Sequence, residues 1–184
     1  MESNGAEYIV CNCLEKYRRN VLVIYDDRTG ELASIFQAAL LKCGKKVEIV
    51  KLEMASCHGM EPPEDVSERI MHSDAVVCLT WYSIAHTYAR RRAEEHKIAF
   101  LSMPEYTTGL LNNPAIFADY RSLMPMVKKY SNLLTDGKEI VVETQKGTKV
   151  YLNIENRIGN CCPGMTSGKI LLGSPPDVEA NIAP

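Results

Sequence analysis

A chain of 184 residues that is 46% hydrophobic has the material for one large domain, or for one domain and part of a second. Its formal charge of -2 gives no electrostatic footing for nucleic acid or an anionic membrane, so small molecules, peptides or other chains are the expected partners. Apolar stretches are only strand-length and no basic n-region precedes an apolar h-region, so neither a membrane span nor a signal peptide is expected.

A first helix is predicted over residues 5–17. Residues 21–25 (VLVIY) are short, β-branched and continuously apolar, which predicts a strand buried on both faces. The loop 26–30 (DDRTG) leads into a helix with Leu32, Ile35, Phe36, Ala39 and Leu40 at helical spacing. Gly44 stands where a left-handed residue would end that helix. Further strands are predicted at 47–52, 75–79 and 98–101, with helices at 64–72 and 84–96 between them. Strand-helix alternation at this spacing predicts an α/β fold, an open and mostly parallel sheet with helices on both faces.

After Pro114 the pattern changes. Residues 115–134 read as helical, with Pro125 predicting a kink or a break. Residues 138–144 and 148–154 alternate apolar and polar around Gln145-Lys146-Gly147, which predicts an antiparallel hairpin opening a second domain. The domains expected are therefore 1–136 and an incomplete, β-containing 137–184. The Gly, Pro and Ser-rich residues 159–184 show no packed element.

Seven cysteines leave one unpaired in any complete disulfide scheme, and Cys43 and Cys78 lie in apolar settings. A reducing cytoplasm is the expected compartment. Cys11-x-Cys13 and Cys161-Cys162 lack the matched spacing of a zinc ribbon. No GxGxxG or GxxxxGK[ST] occurs, which leaves a nucleotide-binding domain without its phosphate loop.

In the DDRTG loop two adjacent carboxylates suit a cation or an amine, but capping of the next helix by Asp27 or Thr29 is the favoured reading. Residues 80–87 (TWYSIAHT) concentrate polar and aromatic groups beyond a strand end. Trp81, the sole tryptophan, and His86 in the first turn of the next helix are candidate substrate-binding residues; the structural reading makes Ser83 an N-cap and Trp81 a cover for the sheet edge. Arg90, Arg91 and Arg92 point about 100° apart on a helix with Glu94 and Glu95 in reach, a solvated and internally paired face rather than a phosphate site.

The run 73–111 (SDAVVCLTWYSIAHTYARRRAEEHKIAFLSMPEYTTGLL), with Ser102-x-Pro104-x-x-Thr107, resembles the amino-terminal domain of aminopeptidase T-type metallopeptidases. Asn132-Leu133-Leu134-Thr135 and the Lys146-Gly147-Thr148 turn are similar to the family as well. So is Pro176-Asp177-Val178-Glu179-Ala180-Asn181-Ile182-Ala183-Pro184, although Ser174-Pro175 replaces Asn-Leu and Ala180 a larger apolar residue.

This resemblance places Glu179 on the family's first metal-ligand glutamate and leaves the other ligands without counterparts. It implies the amino-terminal part of a metal-dependent aminopeptidase-like hydrolase. Its complete form, about twice as long, would use a divalent metal (Zn, Co or Mn) on a peptide or small-molecule substrate. The fragment alone is expected to be inactive and to bind no metal tightly. Some relatives are iron-dependent ring-cleaving dioxygenases acting on hydroxypyridines, so such a dioxygenase is one alternative; a non-enzymatic α/β binding module is another. Hairpin edges at 138–154 would want covering, by the rest of the protein or in a homo-oligomer.

Overall fold

The structure is a computed structural model, and it describes residues 5–182. By contacts the chain divides into two compact units. One is the chain up to Ala118 together with Gly164–Pro176; the other is Asp119–Pro163 with the segment from Asp177 onward.

The first unit is built on a five-stranded parallel sheet. Its strands are β1 (Asn20–Tyr25), β2 (Lys46–Lys51), β3 (Ala75–Cys78), β4 (Ala99–Ser102) and β8 (Leu172–Gly173), in the order β2-β1-β3-β4-β8. All four strands predicted in this region form. In the central strands β3 and β4 every residue is buried, whereas β2, at the edge, is only half-buried. Successive side chains point to opposite faces. On one face Leu22, Ile24, Val76, Cys78 and Phe100 pack with Val66 and Ile70 of α3 (Glu64–Met71) and Ala89 and Ala93 of α4 (Tyr88–Glu95). Elsewhere α2 (Gly30–Lys42) packs on β1 and β2, and α1 (Gly5–Cys13) packs on α2. The predicted α/β architecture is therefore present, and Gly44 ends α2 at φ 72° as expected.

Three helix boundaries differ from expectation. α1 stops at Cys13 rather than 17. α4 begins at Tyr88, because the Thr87 hydroxyl accepts from the Arg90 N–H and the Glu61 carboxylate accepts from Tyr88 and Ala89 N–H. The segment 115–134 divides ahead of Pro125. A 3₁₀ turn at Pro114–Phe117 gives way to α5 (Tyr120–Asp136), whose first turn is capped by Asp119 accepting from Ser122 N–H, and Pro125 is accommodated inside α5.

Residues 159–182 are more ordered than their composition suggested. β8 pairs with β4 (Phe100↔Leu172), and Thr166 donates from its N–H and hydroxyl to the Cys13 carbonyl at 3.0 and 2.8 Å.

In the second unit β5 (Glu139–Glu143) and β6 (Lys149–Asn153) form the predicted hairpin, turning at Gly147 with φ 92°. β7 (Asn160–Cys162) and β9 (Glu179–Asn181) form a second antiparallel pair, and both contact α5. Gly159 lies so close to α5 that a Cβ there would meet the Ser131 carbonyl oxygen at 2.3 Å and Leu134 Cβ at 2.9 Å. Gly159→Ala is expected to destabilise this unit by about 2–3 kcal/mol, read as a lower urea midpoint of its helix signal. An unchanged midpoint would mean that the β7 backbone moves freely off α5.

Candidate functional site

With β2 on one side of β1 and β3 on the other, the order in which strands are added to the parallel sheet reverses between β1 and β3. The crevice beyond the carboxyl ends of those strands is where open α/β sheets usually take ligands. Here the crevice is bridged by the protein itself. Asp26, 1% exposed, receives the Trp81 backbone N–H on Oδ2 and the Arg28 N–H and Thr29 hydroxyl on Oδ1, at 3.0 and 3.3 Å. Arg28 in turn lies over the half-buried Trp81 ring, 4.7 Å from its centroid.

Thr29 occupies the N-cap position of α2 but makes no side-chain cap, because its hydroxyl is turned back to Asp26. Asp27 is exposed and pairs with Lys51 at 2.6 Å. The two acidic residues of the DDRTG loop therefore serve different partners and form no joint cation site.

Trp81 contributes to this cluster. His86 is exposed, in the turn that precedes α4 rather than in its first helical turn. Ser83 is a local turn-former, its hydroxyl accepting from Ala85 N–H at 3.1 Å.

Sequence reasoning passed over His58 and Glu105. The Ser83 N–H donates to His58 Nδ1 at 3.0 Å, leaving Nε2 3.9 Å from Glu105 Oε1, and the imidazole meets Tyr82 edge-on. Glu105 has φ 56°, an uncommon conformation for a residue with a side chain, and its N–H donates to the Trp81 carbonyl. The sequence signal for Glu105 was its place beyond β4. For His58, in a loop far from both strands, there was none. Together these groups make a polar and aromatic strand-end surface with one buried carboxylate.

A second candidate lies within the second unit. α5, the hairpin and β9 border a cleft of about 440 Å³ lined by Met126, Tyr130, Leu133, Ile140, Ile154 and Val178 among others, with Glu179 at its margin. Glu179 is exposed and sits in strand β9 opposite Cys162, its Oε1 accepting from the Asn181 amide at 2.7 Å. It is a strand residue, not the free tail position that its sequence context suggests. Burial, and then the Glu179 carboxylate, raise the Cys162 thiol above its ordinary value. Among the described residues no group of three or more His, Cys, Asp or Glu is placed to hold a metal ion, and no helix is long and apolar enough to cross a membrane.

No protein-family model matches the chain, and no curated protein matches it in sequence. Among solved structures it is similar to 2,5-dihydroxypyridine dioxygenase from Pseudomonas putida KT2440, with a TM-score of 0.74 at 10% identity. The match takes in 92% of this chain and 52% of that one, so the chain spans about half the length of the dioxygenase. At this identity the likeness is one of fold.

The aminopeptidase T-type resemblance is corrected by these findings. The solved structure reported above as similar in fold is a dioxygenase, and the aminopeptidase, metallopeptidase and hydrolase expectations fall with the resemblance. Its physical basis was thin. The run 73–111 is the β3–α4–β4 repeat of a parallel α/β sheet, a sequence pattern that the scaffold requires whatever the chemistry.

Proposed function

We propose that this chain is the amino-terminal half of a ring-cleaving dioxygenase-type protein, supporting a metal centre and walling one side of its substrate site. The fold shared with 2,5-dihydroxypyridine dioxygenase along 92% of the chain carries this reading. The cleft bordered by α5 and the hairpin adds a second argument. Its lining suits a flat, small aromatic ring, and Glu179 offers a carboxylate at the edge.

Oxygen-dependent ring opening calls for a redox-active metal with open positions, commonly held by two histidines and one carboxylate. The described residues do not supply that set. Glu179 is the ligand this chain would contribute, and the others would come from the rest of the protein.

The test supplies the full-length protein with ferrous iron and 2,5-dihydroxypyridine and follows oxygen alongside the ring's ultraviolet absorbance. Coupled loss of both is expected, and Glu179→Ala is expected to abolish it together with iron retention. The present chain alone should keep no stoichiometric metal after desalting. Full-length protein that retains iron yet consumes neither oxygen nor any hydroxylated pyridine would overturn the proposal.

A second reading, a binding module without chemistry, is favoured by the Asp26, Arg28 and Trp81 cluster at the sheet's reversal point. Saturable quenching of Trp81 fluorescence by the hydroxypyridine, with no oxygen uptake by the full-length protein, would select it.

A further inference from the structure

Five of the seven cysteines are accounted for by burial, by isolation or by sequence adjacency. Cys13 and Cys78 are buried in the core, Cys57 stands alone on an exposed loop, and Cys161 and Cys162 are neighbours in β7. The remaining two form a different arrangement. Cys11, exposed on α1, and Cys43, at the C-cap of α2, are 32 positions apart in sequence, yet their Sγ atoms lie 3.0 Å from one another. They are not hidden between the helices. Both line a cavity of about 280 Å³ with Val10, Leu14, Lys16 and Lys45, so a small molecule can reach them.

The frame around the pair is fixed. Lys45 Nζ donates to the carbonyls of Glu15, Lys16 and Arg18 at 3.1, 3.0 and 2.7 Å, holding the chain beyond α1 against the end of α2. Lys42 and Glu7 form a second tie between the same helices at 2.8 Å. A disulfide needs an S–S distance of about 2.05 Å, so the sulfurs have about 1 Å to close.

We propose that Cys11 and Cys43 form an oxidative modification site, a dithiol that a small hydroperoxide converts to a disulfide stapling α1 to the end of α2. Cys11 is the attacking sulfur. Burial, and then the hydrogen bond to Cys11, push the Cys43 thiol up to about 11, so Cys43 is the partner that keeps its proton, free to donate it when the Cys11 sulfur ionises. The exposed Cys11 sulfur, as thiolate, attacks the outer oxygen of the hydroperoxide. The O–O bond breaks, Cys11 becomes a sulfenic acid, and the alkoxide that leaves takes up the proton Cys11 released on ionising, departing as an alcohol (water, for hydrogen peroxide). The Cys43 sulfur then attacks Cys11; the S–S bond forms, the S–O bond breaks, and hydroxide departs with the Cys43 proton as water. Two thiols lose two electrons and two protons, and the peroxide takes up both. In a reducing compartment such a bond is transient, which suits a site of regulation more than a structural staple.

The test treats the reduced full chain with one equivalent of hydrogen peroxide and maps the cysteines by mass spectrometry without reduction. A Cys11–Cys43 peptide lighter by two hydrogens is expected as the main product, with a melting temperature raised by about 5 °C and restored by dithiothreitol. C11S should remove both effects. C43S should instead accumulate a Cys11 sulfenic acid that dimedone traps, which reads the first step separately from the second. A main product linking Cys161 to Cys162 or joining two chains, or over-oxidised Cys11 beside an alkylatable Cys43, would overturn the proposal.

Discussion

Raising the pH from about 9 to about 11 is expected to cost the first unit about 4 kcal/mol of stability, through two thiols that take no part in any site. Cys13 and Cys78 are buried, and burial pushes their thiols from 9.0 up to about 12 and about 11. Unfolded, both would lose their protons near 9. Between the unfolded and folded values the unfolded chain therefore binds fewer protons, and stability falls as pH rises. Below about pH 9 the full contribution is present. Each thiol gives a slope of about 1.4 kcal/mol per pH unit inside the window. The part-exposed Cys43 thiol, also raised, adds to the loss in the same sense, while Lys45 opposes it: burial lowers its ammonium, so it returns part of the loss as pH approaches 10.5. Urea midpoints followed through Trp81 fluorescence measure the sum. In the Cys13→Ala, Cys78→Ala double variant the midpoint starts lower but should vary much less with pH. An equal alkaline slope in that variant would remove the thiols as the cause.

The same burial explains why the sheet could be read from sequence. VLVIY and AVVC have apolar residues on both faces because helices cover both, and their β-branched content and shortness favour a strand. The hairpin was legible for a local reason, since Gly147 supplies the turn between two alternating runs. β8 was not legible. Two residues, Leu172 and Gly173, carry no period, and what makes them a strand is the exposed edge of β4 and the anchoring of Thr166 on Cys13.

The start of α4 was misjudged because a distant residue shares with Thr87 in fixing it. Nothing near Tyr88 reveals that Glu61 caps α4. The site shows the same division. Trp81 announced itself as a lone aromatic beyond a strand, but its tie to Asp26 spans 55 positions, and the approach of His58 to Ser83 depends on the path of an irregular loop.

Asp26→Ala tests that tie, and it should destabilise the first unit by about 3 kcal/mol. The carboxylate uses both oxygens. Oδ2 takes the Trp81 N–H from the far side of the crevice, and Oδ1 takes the Arg28 N–H and the Thr29 hydroxyl from its own loop. Alanine leaves the two N–H groups without their acceptor in a site from which water is largely excluded. Asp26→Asn keeps the shape but must aim its amide NH₂ at one of two donor groups, so it should recover less than half of the loss. That failure of the closest isostere separates a charge-accepting role from simple packing. Since Trp81 is the only tryptophan, its emission reports the local consequence directly. Freed from Asp26, its backbone should let the ring swing out from under Arg28, and the native-state emission should shift to the red in Asp26→Ala. If Asn restores stability and emission to wild-type values, the Asp26 charge does not organise this crevice. The strand-end cluster would then lose the feature that distinguishes it from an ordinary loop contact.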